Sequence, residues 1–229
     1  AASDVYKRQV MATPVLRAIR RHRPDAKVVA VTRPGLDVLL RGAEFVDDVI
    51  AAPFKGRGAS LRTGRAIRRT GADALVLLPN SFRAGLIAKL SGAAVRIGYR
   101  RDRRGWLLSH AIDVEPAPTP TPAVDYYARL ACVALGVDAI DLRLELGVTG
   151  EEDAAADTLL DGVGPFALIN PGGNRNSKRW PAERFAAVAD HLARSHGLRT
   201  VVTGAPSERN VLRQVVDACD PARRDDVVD

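Results

Sequence analysis

Short apolar runs alternate with amphipathic helical patterns along most of this chain, and this alternation restricts its fold more than any other feature. Strands are predicted at residues 27–32, 46–51, 73–78, 95–99, 166–170 and 199–203. Helices are predicted at residues 13–23, 59–70, 82–90, 123–135, 151–160, 182–195 and 207–219, with a shorter one at 36–41. The strand at 73–78, DALVLL, is almost wholly apolar, as a parallel strand covered on both faces should be. The sequence therefore predicts an α/β protein with doubly wound parallel sheets.

A proline-rich stretch at residues 116–122, PAPTPTP, divides the alternation into two series. Proline lacks a backbone donor, so this stretch predicts an extended linker on the surface. We predict a first domain at residues 1–115 and a second at 123–229. The first series begins with a helix, so we expect its opening strand to be missing and residues 1–9 not to be native sequence. A further strand is expected at DDVVD, residues 225–229, so we expect the second domain to be incomplete.

The composition excludes several classes of protein. No run of eighteen apolar residues exists, so no membrane-spanning helix is predicted, and the first residues lack the apolar segment of a signal peptide. The two cysteines, Cys132 and Cys219, are too isolated for a disulfide framework or a zinc site. The four histidines lack ligand-spaced partners, so no metal is predicted. These features favour a cytoplasmic location.

The charge is unevenly distributed. Residues 1–115 carry 22 Lys and Arg against 10 Asp and Glu, whereas residues 116–229 carry 12 against 17. A basic first half suggests an anionic partner: a phosphorylated glycan or lipid, a membrane surface, or nucleic acid. The alternative is an arginine- and alanine-rich composition that reflects a GC-rich genome. Charge alone does not separate these alternatives.

The stretch at residues 166–181, FALINPGGNRNSKRWP, contains the clearest binding pattern. An apolar strand leads into a Pro-Gly-Gly turn and a cationic loop with Lys178 and Arg179, and Pro181 then opens a helix. Glycines allow close backbone approach, and the amides and dipole of a helix N-terminus favour an anion. The stretch therefore predicts a phosphate site, although Lys178 could also be a solvated loop cation.

Two arginine clusters lie in the basic half. The first, on the helix at residues 59–70, comprises Arg62, Arg65, Arg68 and Arg69. It is either a solvated face or a contact for an acceptor or a membrane. The second lies beside Trp106 and comprises Arg100, Arg101, Arg103 and Arg104. We predict acceptor contacts at Arg101, Arg103 and Arg104 in this second cluster, with a purely structural loop as the alternative.

Several motifs together resemble glycosyltransferase family 9, the ADP-heptose:lipopolysaccharide heptosyltransferases. The stretch Met-Ala-Thr-Pro-Val-Leu-Arg-Ala at residues 11–18 resembles the opening of that family, and Pro-Asp-Ala at 24–26, Arg-Pro-Gly at 33–35 and Asp-Asp-Val-Ile at 47–50 continue the resemblance. The strongest parts are Asn-Pro-Gly-Gly at 170–173 with Lys-Arg-Trp-Pro at 178–181, and Thr-Gly-Ala-Pro-Ser-Glu at 203–208. This resemblance runs from about Val10 to the last residue.

The resemblance implies a GT-B glycosyltransferase with an acceptor domain followed by a nucleotide-sugar-binding domain. Lys178 would bind the donor diphosphate, with Gly173 and Asn174 beside it, and Glu208 would accept hydrogen bonds from the ribose hydroxyls. Glu208 could equally be a first-turn residue that complements the dipole of the following helix. The implied donor is ADP-heptose, and the acceptor is an anionic glycolipid or glycan, with peripheral contact at the inner membrane face. No cofactor is implied.

The implied reaction is an inverting sugar transfer that needs a carboxylate base. The family's base is the Asp of a Gly-Asp pair before the Ala-Thr-Pro motif, and Arg8 occupies the corresponding position here. A glycine-rich donor-side segment of the family would lie beyond Asp229. We therefore expect the chain to be a fragment that is inactive by itself. The competing hypothesis is a non-catalytic α/β protein that binds nucleic acid or another anion, but the small number of aromatics and the lack of a nucleic-acid motif in the sequence argue against it.

Overall fold

The computed structural model describes residues 3–114, 119–173, 177, 179–222 and 227–228. The chain divides into two compact units, residues 1–150 and 151–229. Each unit alternates helices with parallel strands, so the predicted α/β class is confirmed. Among the described residues, no helix is both long and apolar enough to cross a lipid bilayer.

The first unit contains five helices and five strands among its described residues. The helices are α1 (Ser3–Val10), α2 (Thr13–His22), α3 (Ala59–Arg69), α4 (Phe82–Ser91) and α5 (Ala123–Leu135). The strands are β1 (Val29–Thr32), β2 (Asp48–Ala51), β3 (Ala74–Leu77), β4 (Val95–Tyr99) and β5 (His110–Ile112). Short 3₁₀ turns lie at Asp37–Leu40 and Gly105–Leu107.

Parallel pairing organises these strands into two sheets. β1 pairs with β2 in the register Val29 to Asp48, and β4 lies between β3 and β5. The carboxyl end of β3 leads through Pro79, Asn80 and Ser81 into α4. Ser81 caps this helix because its Oγ accepts a hydrogen bond from the Ala84 amide at 3.3 Å.

Helix α5 completes the core of the first unit. Leu130 is fully buried against Ile97 and Tyr99 of β4, and Ala131 is fully buried beside Val15 of α2. The compact units therefore divide after residue 150, whereas the sequence placed α5 with the second domain. The apolar face of α5 explains the difference, because its partners are the strands and helices that precede the proline-rich stretch.

The segment between α5 and the second unit also packs on the first. Arg17 of α2 forms ion pairs with Asp141 at 2.8 Å and with Glu145 at 3.1 Å. The Glu145 amide donates to Thr13 Oγ1 at 3.1 Å. These bonds hold residues 141–145 along α2, 124 or more positions away in sequence.

The second unit contains α6 (Gly150–Leu159), β6 (Phe166–Ile169), α7 (Ala182–His196), β7 (Arg199–Val202), α8 (Arg209–Ala218) and β8 (Val227–Val228). β7 lies between β6 and β8 in a parallel sheet, and β8 confirms the strand predicted near the end of the sequence. Ile169, Ala186 and Val215 are among the buried residues that join the sheet to α7 and α8. This arrangement brings the ends of β6 and β7 to one edge.

Candidate functional site

The candidate donor site lies where β6 and β7 end, in the second unit. The two strands are parallel, so the loops that leave their carboxyl ends, residues 170–173 and 203–208, are neighbours. The Thr203 amide continues the ladder by donating to the Ile169 carbonyl at 2.9 Å. In open α/β sheets ligands bind outside this edge.

The first loop is a tight turn. Asn170 Oδ1 accepts a hydrogen bond from the Gly172 amide at 3.2 Å, which is an Asx turn. Pro171 is fully buried and anchors the turn to the unit. The chain then reaches Gly173, whose amide points to the second loop.

Glu208 joins the two loops. Its Oε1 accepts from the Gly173 amide and its Oε2 accepts from the Ala205 amide, both at 3.0 Å. A Cβ added at Gly172 would lie 2.4 Å from each of these carboxylate oxygens, so any other residue there would displace the Glu208 carboxylate from this position. The structure thus brings two predicted site residues, Gly173 and Glu208, into direct contact across 35 positions of sequence.

The start of α7 borders the same loop. Arg179 Nε donates to the Gly173 carbonyl at 2.9 Å, so this side chain holds the glycine turn. Trp180 contacts the ring of Phe185 edge to face, at 5.2 Å between ring centroids. The other two predicted donor ligands, Asn174 and Lys178, lie outside the described residues.

Together these groups have the chemistry of a nucleotide site. Each carboxylate oxygen of Glu208 accepts one hydrogen bond from a backbone amide. Each oxygen has a second lone pair, so it can also accept a hydrogen bond from a ligand hydroxyl. Glu208 also ends the 3₁₀ turn Pro206–Glu208 just before α8, so its charge complements the helix dipole. Glu208 can therefore bind ligand hydroxyls and complement the helix dipole from the same position.

The predicted acceptor residues lie in the first unit, in the turn after β4. Asp102 and Arg103 both have positive φ, 51° and 55°, and the Arg104 amide donates to the Arg101 carbonyl at 3.0 Å. This pattern is typical of a type I′ turn, which favours glycine, asparagine and aspartate, so Arg103 is the unfavourable residue in it. Arg101 and Arg103 are exposed on this turn.

Arg104 occupies a different environment from its neighbours. Its side chain is fully buried, and it donates to the carbonyls of Tyr99 at 3.1 Å and Ser81 at 3.4 Å, and also to that of Pro79. Burial lowers the pKa of the guanidinium from its ordinary value. The prediction of a direct acceptor contact at Arg104 is therefore corrected: its donors face protein carbonyls, and it positions the loops after β3 and β4.

A polar network that the sequence did not reveal surrounds this arginine. Asn80 Oδ1 accepts from Arg104 at 3.4 Å, while Asn80 Nδ2 donates to the Tyr126 hydroxyl at 2.9 Å. The Tyr99 hydroxyl donates to the Tyr126 carbonyl at 2.7 Å, and the two tyrosine rings stack 4.1 Å apart. The local sequence signal for a structured loop here is Pro-Asn-Ser at residues 79–81, a combination typical of turns.

Arg8, at the position where the resemblance expects a base, lies in α1 and is exposed. Its charge reaches Tyr127 of α5: burial raises the pKa of the Tyr127 hydroxyl, and Arg8 partly opposes that rise. The neighbouring Gln9 donates to the Leu36 carbonyl at 2.6 Å, which attaches α1 to the first unit. Within the described part of the chain, no group of three or more His, Cys, Asp or Glu side chains could hold a metal ion.

Comparison with known proteins places these features in a family. Residues 60–224 match the family model of glycosyltransferase family 9 (heptosyltransferase). Lipopolysaccharide heptosyltransferase 2 of Salmonella typhimurium is 24% identical over 222 residues, an alignment that covers 91% of this chain and 63% of that protein. The chain thus spans less than two thirds of the length of this relative.

Solved structures show the same fold. The glycosyl transferase family 9 structure from Veillonella parvula superposes with a TM-score of 0.79 at 24% identity, covering 94% of this chain and 64% of that one. E. coli heptosyltransferase WaaC with ADP superposes with a TM-score of 0.69 at 16% identity, covering 97% and 71%. The predicted α/β fold of the GT-B type, with Rossmann-like units, is confirmed. The chain belongs to glycosyltransferase family 9, the heptosyltransferase family.

Proposed function

We propose that this chain is the part of a glycosyltransferase that moves a heptose, or a related sugar, from an ADP-activated donor to the lipopolysaccharide core or another envelope glycan. Family membership supports the reaction class. The name of the Salmonella relative supports a heptose and a lipopolysaccharide acceptor. Such a donor would be used in the cytoplasm, at the inner face of the membrane.

The bridge that Glu208 makes between Gly173 and Ala205 is the observation that carries the proposal. A carboxylate and the loops that hold it lie together at the carboxyl ends of two parallel strands, the edge at which open α/β sheets bind nucleotides. Glu208 would accept hydrogen bonds from the ribose hydroxyls. Gly173, Asn174 and Lys178 would surround the diphosphate. The related E. coli heptosyltransferase WaaC was solved with ADP, which supports this identity of the nucleotide.

In the first unit, Arg101 and Arg103 would meet an anionic glycolipid or glycan acceptor. Both side chains are exposed on a turn at the carboxyl end of β4. The buried Arg104 would hold that turn in place through the carbonyls it binds. Guanidinium groups suit this task because they bind carboxylates and phosphates in a bidentate manner.

The reaction we propose inverts the anomeric centre. The acceptor hydroxyl oxygen bonds to the anomeric carbon while the bond from that carbon to the diphosphate breaks, which releases ADP. The hydroxyl proton passes to a carboxylate base, and the cationic loop stabilises the departing charge. Arg8 cannot be that base, because a guanidinium does not accept a proton near neutral pH.

Calorimetry with ADP tests the donor site directly. Glu208→Gln and Lys178→Ala should each weaken ADP binding by about tenfold or more, since each removes a charge-assisted hydrogen bond. Glu151→Gln and Arg194→Ala are matched controls, because both residues are exposed on helices of the same unit. Equal ADP affinity in all four variants, or no ADP binding by the chain, would refute the proposed donor site.

Calorimetry with nucleic acid in place of ADP tests the competing hypothesis of a non-catalytic binding protein. If the chain bound single- or double-stranded nucleic acid tightly and ADP not at all, the non-catalytic alternative would replace the glycosyltransferase. Salt-dependent nucleic-acid binding alongside specific ADP binding would instead reflect the basic first unit.

A further inference from the structure

Two aromatic rings lie together on the surface of the first unit. Trp106 is 71% exposed and Phe82 is 43% exposed, and their ring centroids are 6.2 Å apart. Other aromatic side chains of the chain, such as Trp180, are also exposed, but these two lie against each other and form a small apolar surface. We call this pair, together with Arg83, Arg101 and Arg103, the aromatic–basic patch.

Packing beneath the patch holds Trp106 in its outward position. The next residue, Leu107, is almost fully buried, and its Cδ1 would lie 3.1 Å from a Cβ placed on Gly85 of α4. The buried Arg104 fixes the other side of the same 3₁₀ turn. The backbone that carries the indole is therefore held by buried neighbours, so a partner would not have to order this turn on binding.

Cations flank the rings. Arg83 follows Phe82 directly and donates to the Phe54 carbonyl at 2.8 Å, which attaches the loop before α3 to α4. Arg101 and Arg103 are exposed on the turn that leads to Trp106. Within the described residues, none of the three arginines of the patch forms an ion pair with an acidic side chain.

Acidic groups are sparse around the patch. Between residues 54 and 108 the sequence has two acidic residues, Asp73 and Asp102, against a large excess of arginine and lysine. Asp113, farther along the chain, pairs with Arg100 at 2.9 Å. The surface therefore keeps a positive charge that few carboxylates of its own neutralise.

We propose that the aromatic–basic patch docks the chain on an anionic membrane surface. Tryptophan rings favour the headgroup region of a bilayer, and arginines nearby are attracted to anionic lipid. The patch lies at the carboxyl ends of β3 and β4, the side of a parallel sheet where ligands bind. The inference deepens the proposed function, on which it rests, since a membrane at this edge would present a lipid-linked acceptor to Arg101 and Arg103.

Fluorescence of a single tryptophan tests the contact. The chain has two tryptophans, so Trp180→Phe leaves Trp106 as the reporter. With vesicles of phosphatidylcholine and phosphatidylglycerol, the Trp106 emission should shift to shorter wavelength and be quenched by brominated acyl chains. An unchanged spectrum, or an equal response to pure phosphatidylcholine, would overturn the proposal.

Charge and aromatic variants separate the two contributions in vesicle sedimentation. Each arginine is expected to strengthen binding about fivefold, so the double variant Arg101→Gln/Arg103→Gln should bind anionic vesicles about 25-fold more weakly. Arg209→Gln/Arg213→Gln removes the same charge from exposed positions of α8 and should bind like the parent chain. Trp106→Ser should also weaken binding, whereas Leu159→Ser, at an 80% exposed residue of α6, should not. Equal losses in the control variants would contradict a specific patch.

Two further readouts distinguish the rival explanations. Sedimentation velocity without lipid would reveal any dimer that Trp106→Ser disrupts. If the chain formed such a dimer but did not bind vesicles, the partner of the patch would be a second copy of the chain and not a membrane.

Calorimetry with ADP separates this inference from the donor site. Normal ADP binding without vesicle binding would refute the patch alone, and the reverse result would refute the donor site alone.

Discussion

The absence of a side chain at Gly172 leaves room for the carboxylate of Glu208 in the candidate donor site. Without a Cβ at Gly172, the carboxylate of Glu208 can reach both the Gly173 and Ala205 amides. The family resemblance predicts Gly173 and Glu208 as separate ligands, one beside the donor diphosphate and one at the ribose hydroxyls. Their direct hydrogen bond depends on the pairing of β6 with β7, which brings two distant loops together.

We expect Gly172→Ala to destabilise the second unit by about 1–3 kcal/mol, because the added methyl group would push the Glu208 carboxylate away from the Gly173 and Ala205 amides that it binds. ADP binding should weaken in the same variant. Urea denaturation measures the first effect and calorimetry the second. Gly150→Ala is the control, since a Cβ at Gly150 meets no atom within 4 Å. Equal stability of the two variants would contradict the predicted overlap.

Arg103 and Arg104 are adjacent and identical in chemistry, but their environments are opposite. Arg104→Met should cost about 2–4 kcal/mol of stability, because it leaves the carbonyls of Tyr99 and Pro79 without their charged donor. Arg103→Met should change stability by less than about 0.5 kcal/mol, since its side chain is exposed. Chemical denaturation of both variants measures the difference. Similar costs would mean that the buried hydrogen bonds contribute little.

At the scale of elements, most strands and helices follow the patterns read from the sequence. α5 and β4 have the predicted bounds, and the ends of most others differ by one or two residues. The differences occur in short elements. The helix predicted at 36–41 is a 3₁₀ turn, Asp37–Leu40, and neither the eight-residue helix α1 nor the three-residue strand β5 was predicted. Such short elements have too few residues to show a period, so their partners in space determine them.

The junction of α2 with β1 and β2 should be sensitive to acid. Asp47 accepts from the Val28 amide at 2.6 Å and from Arg20 Nη2 at 2.5 Å, and these bonds hold the pKa of its carboxyl below the ordinary value of 3.8. Because folding lowers the pKa of Asp47, its ionised carboxylate stabilises the fold at pH values above the ordinary pKa of 3.8. This stabilisation is lost as the pH falls through the lowered pKa of the folded state.

We therefore expect Asp47→Asn to reduce stability at neutral pH and to flatten its decline below about pH 4. Urea denaturation at a series of pH values measures both effects. Asp48→Asn changes an exposed neighbour in β2 and is the matched control. An acid response identical to that of the parent chain would show that Asp47 does not link this junction to pH.

At the scale of the whole molecule, the two units predict how the chain can be shortened. A chain ending at residue 150 should keep the fold of the first unit, whereas one ending at residue 115 should not. The reason is that Leu130 and Ala131 of α5 are fully buried in the core of that unit. Heteronuclear NMR spectra of the two shortened chains measure the difference. A folded spectrum from residues 1–115 would support the boundary predicted from the sequence.

The sequence by itself determined the α/β class, the order of the elements and the glycine loop after β6. These features depend on local periodicity and turn residues, which are visible within a window of a few positions. The family resemblance also followed from local motifs, and the family comparison confirms it.

The tertiary structure decided what depends on distant contacts. It placed α5 with the first unit, buried Arg104 while leaving Arg103 exposed, and joined Glu208 to Gly173. No local pattern separates one arginine of a cluster from the next, because burial depends on which strands and loops close around each side chain. Strand pairing and core packing join residues far apart in sequence, and they therefore positioned the site.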